Sequence, residues 1–157
     1  MQDFVHLHVH SQYSLLDGQA SIPRLVDKAI ADGMRGIAVT DHGNMFAIKE
    51  FWNYVKKKNG ARKDKIKELS AKINALQAEV DGADSPTLEQ TSELAKLKAE
   101  LDGVPKEDFK AIIGCEVYVA RRGSMLLKED KRDQSGYHLI LLAKNKTGYH
   151  NLIKIVS

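Results

Sequence analysis

Apolar and polar residues alternate from 4 to 10: Val5, Leu7 and Val9 fall on one side of an extended chain, His6, His8 and His10 on the other. A period of two predicts a strand. The period then changes. Over 21–32, Leu25, Val26, Ala29 and Ile30 recur at helical spacing, with Ser21 placed to cap, Pro23 in the first turn and Gly33 as the stop. Residues 36–40, GIAVT, are a short apolar run that predicts a buried strand, and Asp41-His42-Gly43-Asn44 follows as a turn. Residues 45–57 predict a second helix with Phe46, Phe51, Trp52 and Val55 in the core. Strand, helix, strand, helix with short connections is the pattern of a parallel sheet.

A different pattern occupies about 58–107, rich in Lys, Glu, Ala and Leu. Ile66, Leu69, Ile73, Leu76 and Val80 are spaced 3-4-3-4, and Leu94, Leu97, Leu101 and Val104 repeat that spacing beyond a turn at DGADSP, 81–86. This is a heptad seam on each side of a turn, which predicts an inserted antiparallel helical hairpin. Residues 56–80 carry 8 basic and 3 acidic side chains, and residues 81–108 carry 3 basic and 8 acidic. Opposite charge favours pairing of the arms, although each exposed ion pair contributes little. Lys56-Lys57-Lys58 reads as a solvated face, with DNA contact as the alternative.

The α/β pattern resumes with strands at 110–120, KAIIGCEVYVA, and 137–143, YHLILLA, joined by a charged loop without helical periodicity. Antiparallel pairing of these two strands is therefore open beside a crossover. Thr147 is placed to cap a last helix carrying Leu152, Ile155 and Val156. Four strands and three core helices amount to half of a closed α/β barrel. The expectation is a segment of a longer protein, inactive by itself, whose bare apolar sheet edges would pair two copies into a homodimer.

Net charge is +3, too small to announce a nucleic-acid binder. The single cysteine, Cys115, excludes an internal disulfide and fits a reducing cytoplasm. MQDFVHLHVH has no signal-peptide pattern, and no apolar run approaches the ~20 residues of a membrane span.

Three of the six histidines stand in residues 6–10. Neutral imidazole ligates zinc, iron, copper and nickel, while carboxylates admit harder ions such as manganese. His8 and His10 point to one side, and a hydrogen-bonded polar face is the alternative to a metal site. His42 follows the GIAVT strand, where α/β folds place ligands, and Asp17 lies on the same rim. Glu116 is an acid within an apolar strand, a position that calls for a metal or a buried cation. His138 begins its strand, and hairpin pairing would bring it toward Glu116. His150 reads as a surface or core residue and Cys115 as core. Such a set exceeds one mononuclear site and suits two or three metals. Clusters of that kind bridge phosphate oxygens and generate hydroxide near neutral pH. No glycine-rich phosphate loop, G-x-S-x-G or cysteine nucleophile motif competes.

HLHVHS, LLDG, GIAVTDHGNMFAIKEF, IIGCEVYVA and YHLILLAKNKTGYHNLIKIVS, in this order, resemble the PHP (polymerase and histidinol phosphatase) domain at the start of bacterial DNA polymerase III alpha subunits. The resemblance covers about 4–57 and 110–157 and leaves out the hairpin. It implies a distorted seven-stranded (β/α) barrel with up to three divalent metal ions, zinc or manganese, on one rim. By motif the implied ligands are His8, His10, Asp17, His42, Glu116 and His138. His6 falls where many relatives carry aspartate and stays outside the set. Further family ligands, a cysteine and an Asp-x-His pair, would lie beyond residue 157, as would the polymerase carboxylates. The implied parent is a cytoplasmic replicative DNA polymerase that partners DNA, a proofreading exonuclease subunit and the sliding clamp, with no membrane. The module itself would hydrolyse phosphodiesters as a 3′–5′ exonuclease through metal-held hydroxide. Two alternatives remain: a scaffold that docks the proofreading subunit with a vestigial metal site, and a free-standing phosphatase of histidinol-phosphatase type.

Overall fold

A computed structural model describes residues 4–83 and 85–157; residues 1–3 and Asp84, which falls in the DGADSP turn, lie outside the described residues. In chain order the elements are α1 (Ile22–Ala31), β1 (Gly36–Val39), α2 (Ile48–Asp81), α3 (Leu88–Asp102), β2 (Lys110–Val119), a 3-10 turn at Lys131–Gln134, β3 (Tyr137–Leu142) and α4 (Lys146–Val156). They form two contact units, one of residues up to Val55 together with Phe109–Ser157, the other Lys56–Asp108.

The first unit is a mixed α/β layer on a three-stranded sheet of order β1-β2-β3. β1 and β2 are parallel, with Gly36 opposite Lys110 and Val39 opposite Ile113. β2 and β3 are antiparallel, with Glu116 opposite Ile140 and Tyr118 opposite His138. A loop without helical pattern cannot serve as a crossover helix, so the chain returns as an antiparallel neighbour. All four β1 residues are buried, as a central apolar strand requires. The core joins Ile22 and Val26 of α1 to Ile37 and Val39 of β1 and to Phe51 and Val55 of α2.

Five expectations are corrected here. Residues 4–10 do not form a strand. The His6 carbonyl accepts from Ala38 N–H at 2.9 Å and the Val9 carbonyl from Thr40 N–H at 2.8 Å, so three residues here span two on β1. A bend at 7–8 absorbs the extra residue and breaks the alternation, leaving Leu7 half exposed. Phe46 and Trp52 lie outside the core. The helix begins at Ile48, not 45, because the Asn44 side chain accepts from Phe46 N–H in a turn. Its buried face is then Ile48, Phe51 and Val55, which excludes Trp52. The helix does not end near 57: α2 is one 34-residue helix, and Gly60 does not interrupt it. Finally, Asn145 caps α4 in place of Thr147, its side chain accepting from Gly148 N–H at 3.0 Å.

In the second unit, α2 and α3 face each other through the seam. Leu69, Ile73 and Leu94 are buried, and Ile66, Leu76, Leu97 and Leu101 are partly so. Thr87 and Gln90 form a reciprocal capping box at the start of α3. Cross-links follow the charge division: Lys65 to Glu100 at 2.9 Å, and Asp108 to Arg62 at 2.6 Å and Lys63 at 2.7 Å.

Candidate functional site

Past β1 the backbone continues beside β2. Glu116 N–H donates to the Asp41 carbonyl at 3.1 Å and Gly43 N–H to the Glu116 carbonyl at 2.8 Å, which sets His42 directly against Glu116. Gly43 then turns the chain at φ +59°, a conformation that costs any residue with a Cβ. On the other side, the loop after His10 folds back on itself. A Cβ at Gly18 would lie 1.8 Å from the Ser11 carbonyl oxygen, so only glycine permits the closure that brings Asp17 to the rim.

These constraints gather the other five expected residues about the Glu116 carboxylate, four imidazoles directly and Asp17 through His42. Glu116 is 1% exposed. Its Oε2 meets His8 Nε2 at 2.7 Å and His10 Nε2 at 3.4 Å; its Oε1 meets His42 Nδ1 at 2.9 Å and His138 Nδ1 at 2.8 Å. His42 Nε2 reaches Asp17 Oδ2 at 3.0 Å. The outlying histidines stay apart, His6 edge-on to Phe4 and His150 exposed beside Tyr149. Cys115 is fully buried, and burial pushes its thiol pKa up.

Three further residues build the site. Asp41 is 1% exposed and accepts from Ser11 N–H at 2.6 Å, Ser11 Oγ at 2.8 Å and Ser14 Oγ at 2.7 Å. Ser14 Oγ also receives His42 N–H at 3.2 Å and lies 3.0 Å from His10 Nδ1. Because the Ser14 proton goes to Asp41, His10 Nδ1 must be the donor to Ser14, and neutral His10 then presents a bare Nε2 to the cluster. Tyr118 Oη lies 3.1 Å from His42 Nδ1. Tyr118 was legible in retrospect, two residues after Glu116 on the same strand face. Asp41 and Ser14 carried no periodic signal, being turn and loop residues by type.

The electrostatics follow from the contacts. The Asp17 carboxylate, then that of Glu116, raises the His42 pKa against the opposing effect of burial. Asp17 is held below its ordinary value by His42. Burial pushes Glu116 up, but His8 and His42 more than offset it, and the net direction is down.

His8 Nε2, His10 Nε2 and a Glu116 oxygen lie within 4.8 Å of one another, a possible three-ligand metal site. The edges are 2.9, 2.7 and 3.4 Å. Ligands ~2.05 Å from a tetrahedral ion stand about 3.3 Å apart, so the donors already sit near ligand spacing. Protons alone cannot satisfy this triangle. With both ring nitrogens protonated, two N–H groups oppose each other; with one, an acceptor faces an acceptor. A cation within the triangle makes all three contacts attractive, so the donor set fits a metal.

No helix among the described residues is long and apolar enough to cross a membrane. The family model of the PHP domain matches residues 6–157. The chain is 38% identical to DNA polymerase III subunit alpha of Treponema pallidum and 35% identical to that of Borreliella burgdorferi, each over 98% of this chain. It is 30% identical to the Aquifex aeolicus protein of the same name over 98% of this chain. The chain spans 9% of the length of the first two relatives and 10% of the third.

Proposed function

The chain belongs to the PHP domain family, and from that premise we propose that it is the metal-binding phosphoesterase module of a replicative DNA polymerase alpha subunit, acting on phosphodiesters as a 3′–5′ exonuclease. The observation that supports this most directly is the His8–His10–Glu116 triangle, in which His10 is fixed with its bare nitrogen inward. His8, His10, Asp17, His42, Glu116 and His138 would hold divalent metal ions, zinc or manganese, up to three in a complete barrel. Such ions polarise a phosphoryl oxygen and lower the pKa of bound water.

The chain's own groups supply the rest. Glu116 places one carboxylate within reach of four imidazoles, so its buried negative charge orients all of them. Asp41, through Ser14, sets the His10 tautomer. His42 faces a carboxylate from each ring nitrogen, Asp17 and Glu116, and in its protonated form holds a proton at the rim. Tyr118 Oη adds a neutral hydroxyl beside it. The hairpin at about 58–107 is proposed as an insertion in the barrel, DNA and replicase subunits as partners of the longer protein, and the cytoplasm as its location.

The test is calorimetric titration of the chain with Zn²⁺ and Mn²⁺, for the natural sequence and a His8→Ala/His10→Ala variant. The variant is expected to lose the tightest site. Equal affinity and stoichiometry in the two proteins refutes the assignment.

A further inference from the structure

The strand ends Tyr118 and His138 form a shared wall. One side is the cluster just described; on the other, a cleft of about 470 Å³ opens between the end of β2 and the loop that precedes β3. Its charged lining is Arg121, Arg132 and Asp133, the last two already paired within the loop, and its neutral wall includes Met125 and Gln134. That volume is within the range of small-molecule sites, about 300–1,000 Å³. Two features make it a recess for an anion next to the cluster.

The first is charge. The loop has other arginines, but they are already neutralised. Arg122 grips Asp133 with two nitrogens at 2.8 and 2.9 Å, and Asp133 also accepts from the Glu129 and Asp130 N–H groups. Arg132 is held by Asp130 at 2.7 Å. These pairs staple the loop. Arg121 has no carboxylate partner among the described residues; its guanidinium lies 4.8 Å from the centre of the Tyr137 ring. It is thus a cation ordered on an aromatic platform, with its planar N–H fork uncommitted, the geometry that suits a phosphate.

The second is placement. Arg121 lies three positions beyond Tyr118, so their Cα atoms are at most about 11 Å apart. Tyr118 Oη touches His42. Met125, 84% exposed, supplies an apolar surface in the same cleft, and Ser124, Gln134 and Ser135 supply neutral polar groups.

We propose that this cleft seats the nucleotide next to the scissile phosphodiester, with Arg121 binding its flanking phosphate. The proposal rests on the phosphoesterase reading of the cluster and selects within it: the ligand is a strand with at least two phosphates, not a lone phosphate monoester. Arg121 is then a positioning residue.

The experiment titrates the full 157-residue chain with fluorescein-labelled hexathymidylate in EDTA, by anisotropy, at several salt concentrations. Arg121→Gln is compared with the natural chain and with Lys131→Gln, which removes one charge from the same loop outside the cleft lining. Arg121→Gln is expected to weaken binding about tenfold and to lower the salt slope by about 0.7, the loss of one single-strand phosphate contact. Arg121→Lys should restore most of the slope and less of the affinity. Arg121→Gln and Lys131→Gln behaving alike would overturn the proposal. So would inorganic phosphate competing as well as the oligonucleotide in the natural chain. EDTA keeps metal out of the measurement, so this result and the metal titration can fail separately.

Discussion

Replacing Asp41 with alanine should unfold the first unit's site from behind. The carboxylate is buried and takes three hydrogen bonds of 2.6–2.8 Å. A hydrogen bond to a charged group contributes about 1.5–3 kcal/mol, and an orphaned buried donor costs about as much. Ser14 Oγ retains neighbours in His10 and His42 N–H. Ser11 keeps none as strong, because both its N–H and its hydroxyl donate to Asp41 and the residue is fully buried. Two lost bonds put the cost at about 3–6 kcal/mol, a large share of the ~5–15 kcal/mol typical of a domain. Urea unfolding followed by near-ultraviolet circular dichroism isolates the effect, because every Phe, Tyr and Trp of the chain lies outside Lys56–Asp108. A loss under about 1 kcal/mol would refute the reasoning. Asp41→Asn keeps one oxygen and should cost about 1–2 kcal/mol. The retained oxygen at Oδ1 still accepts from Ser11 N–H and Ser14 Oγ, so the link behind His10 is tested by Ser14→Ala, which should weaken metal binding about 10–100-fold. Undiminished metal affinity in that variant would show that the Ser14 link does not orient the ligand.

Other outcomes follow from the second unit. Leu94→Ala empties a seam position that is 8% exposed and should destabilise the helical pair by about 2–4 kcal/mol in urea unfolding at 222 nm; no shift of the midpoint would mean the seam is not packed. Thr87→Ala removes the capping box and should cost about 1 kcal/mol, read as lower helicity and an earlier thermal midpoint. Asp108 is held below its ordinary pKa by Lys63 and then by Arg62. Its contribution is therefore complete above the unfolded value of about 3.9 and is lost as pH falls through the lower folded value. The urea midpoint should drop on acidification more in the natural chain than in Asp108→Asn, and parallel profiles would contradict the pairing.

Much of this molecule was legible because it depends on short-range rules. The seam from Ile66 to Val104 could be read from 3-4 spacing, since helical periodicity alone decides which side chains meet. The burial of GIAV follows from an apolar run with no polar face. The grouping of His8, His10, Asp17, His42, Glu116 and His138 was legible from residue type and rim position. The N-terminal segment was not. Its alternation is genuine in sequence, but register against β1 slips by one residue at 7–8, and local pattern holds no information about register. The limits of α2 were hidden for a related reason. A change of composition reads as a boundary, yet helix continuation needs only that the backbone bonds persist. Residue type, rim position and the motif resemblance pointed to a cluster of imidazoles and carboxylates. Only the tertiary structure decided that Glu116 stands at their centre, that Ser14 and Asp41 set the His10 tautomer, and that Arg121 alone among the loop's arginines is left without a carboxylate among the described residues. Each of those is a contact between segments far apart in the chain or across a folded loop, and pairing of that kind is settled by geometry, not by residue type.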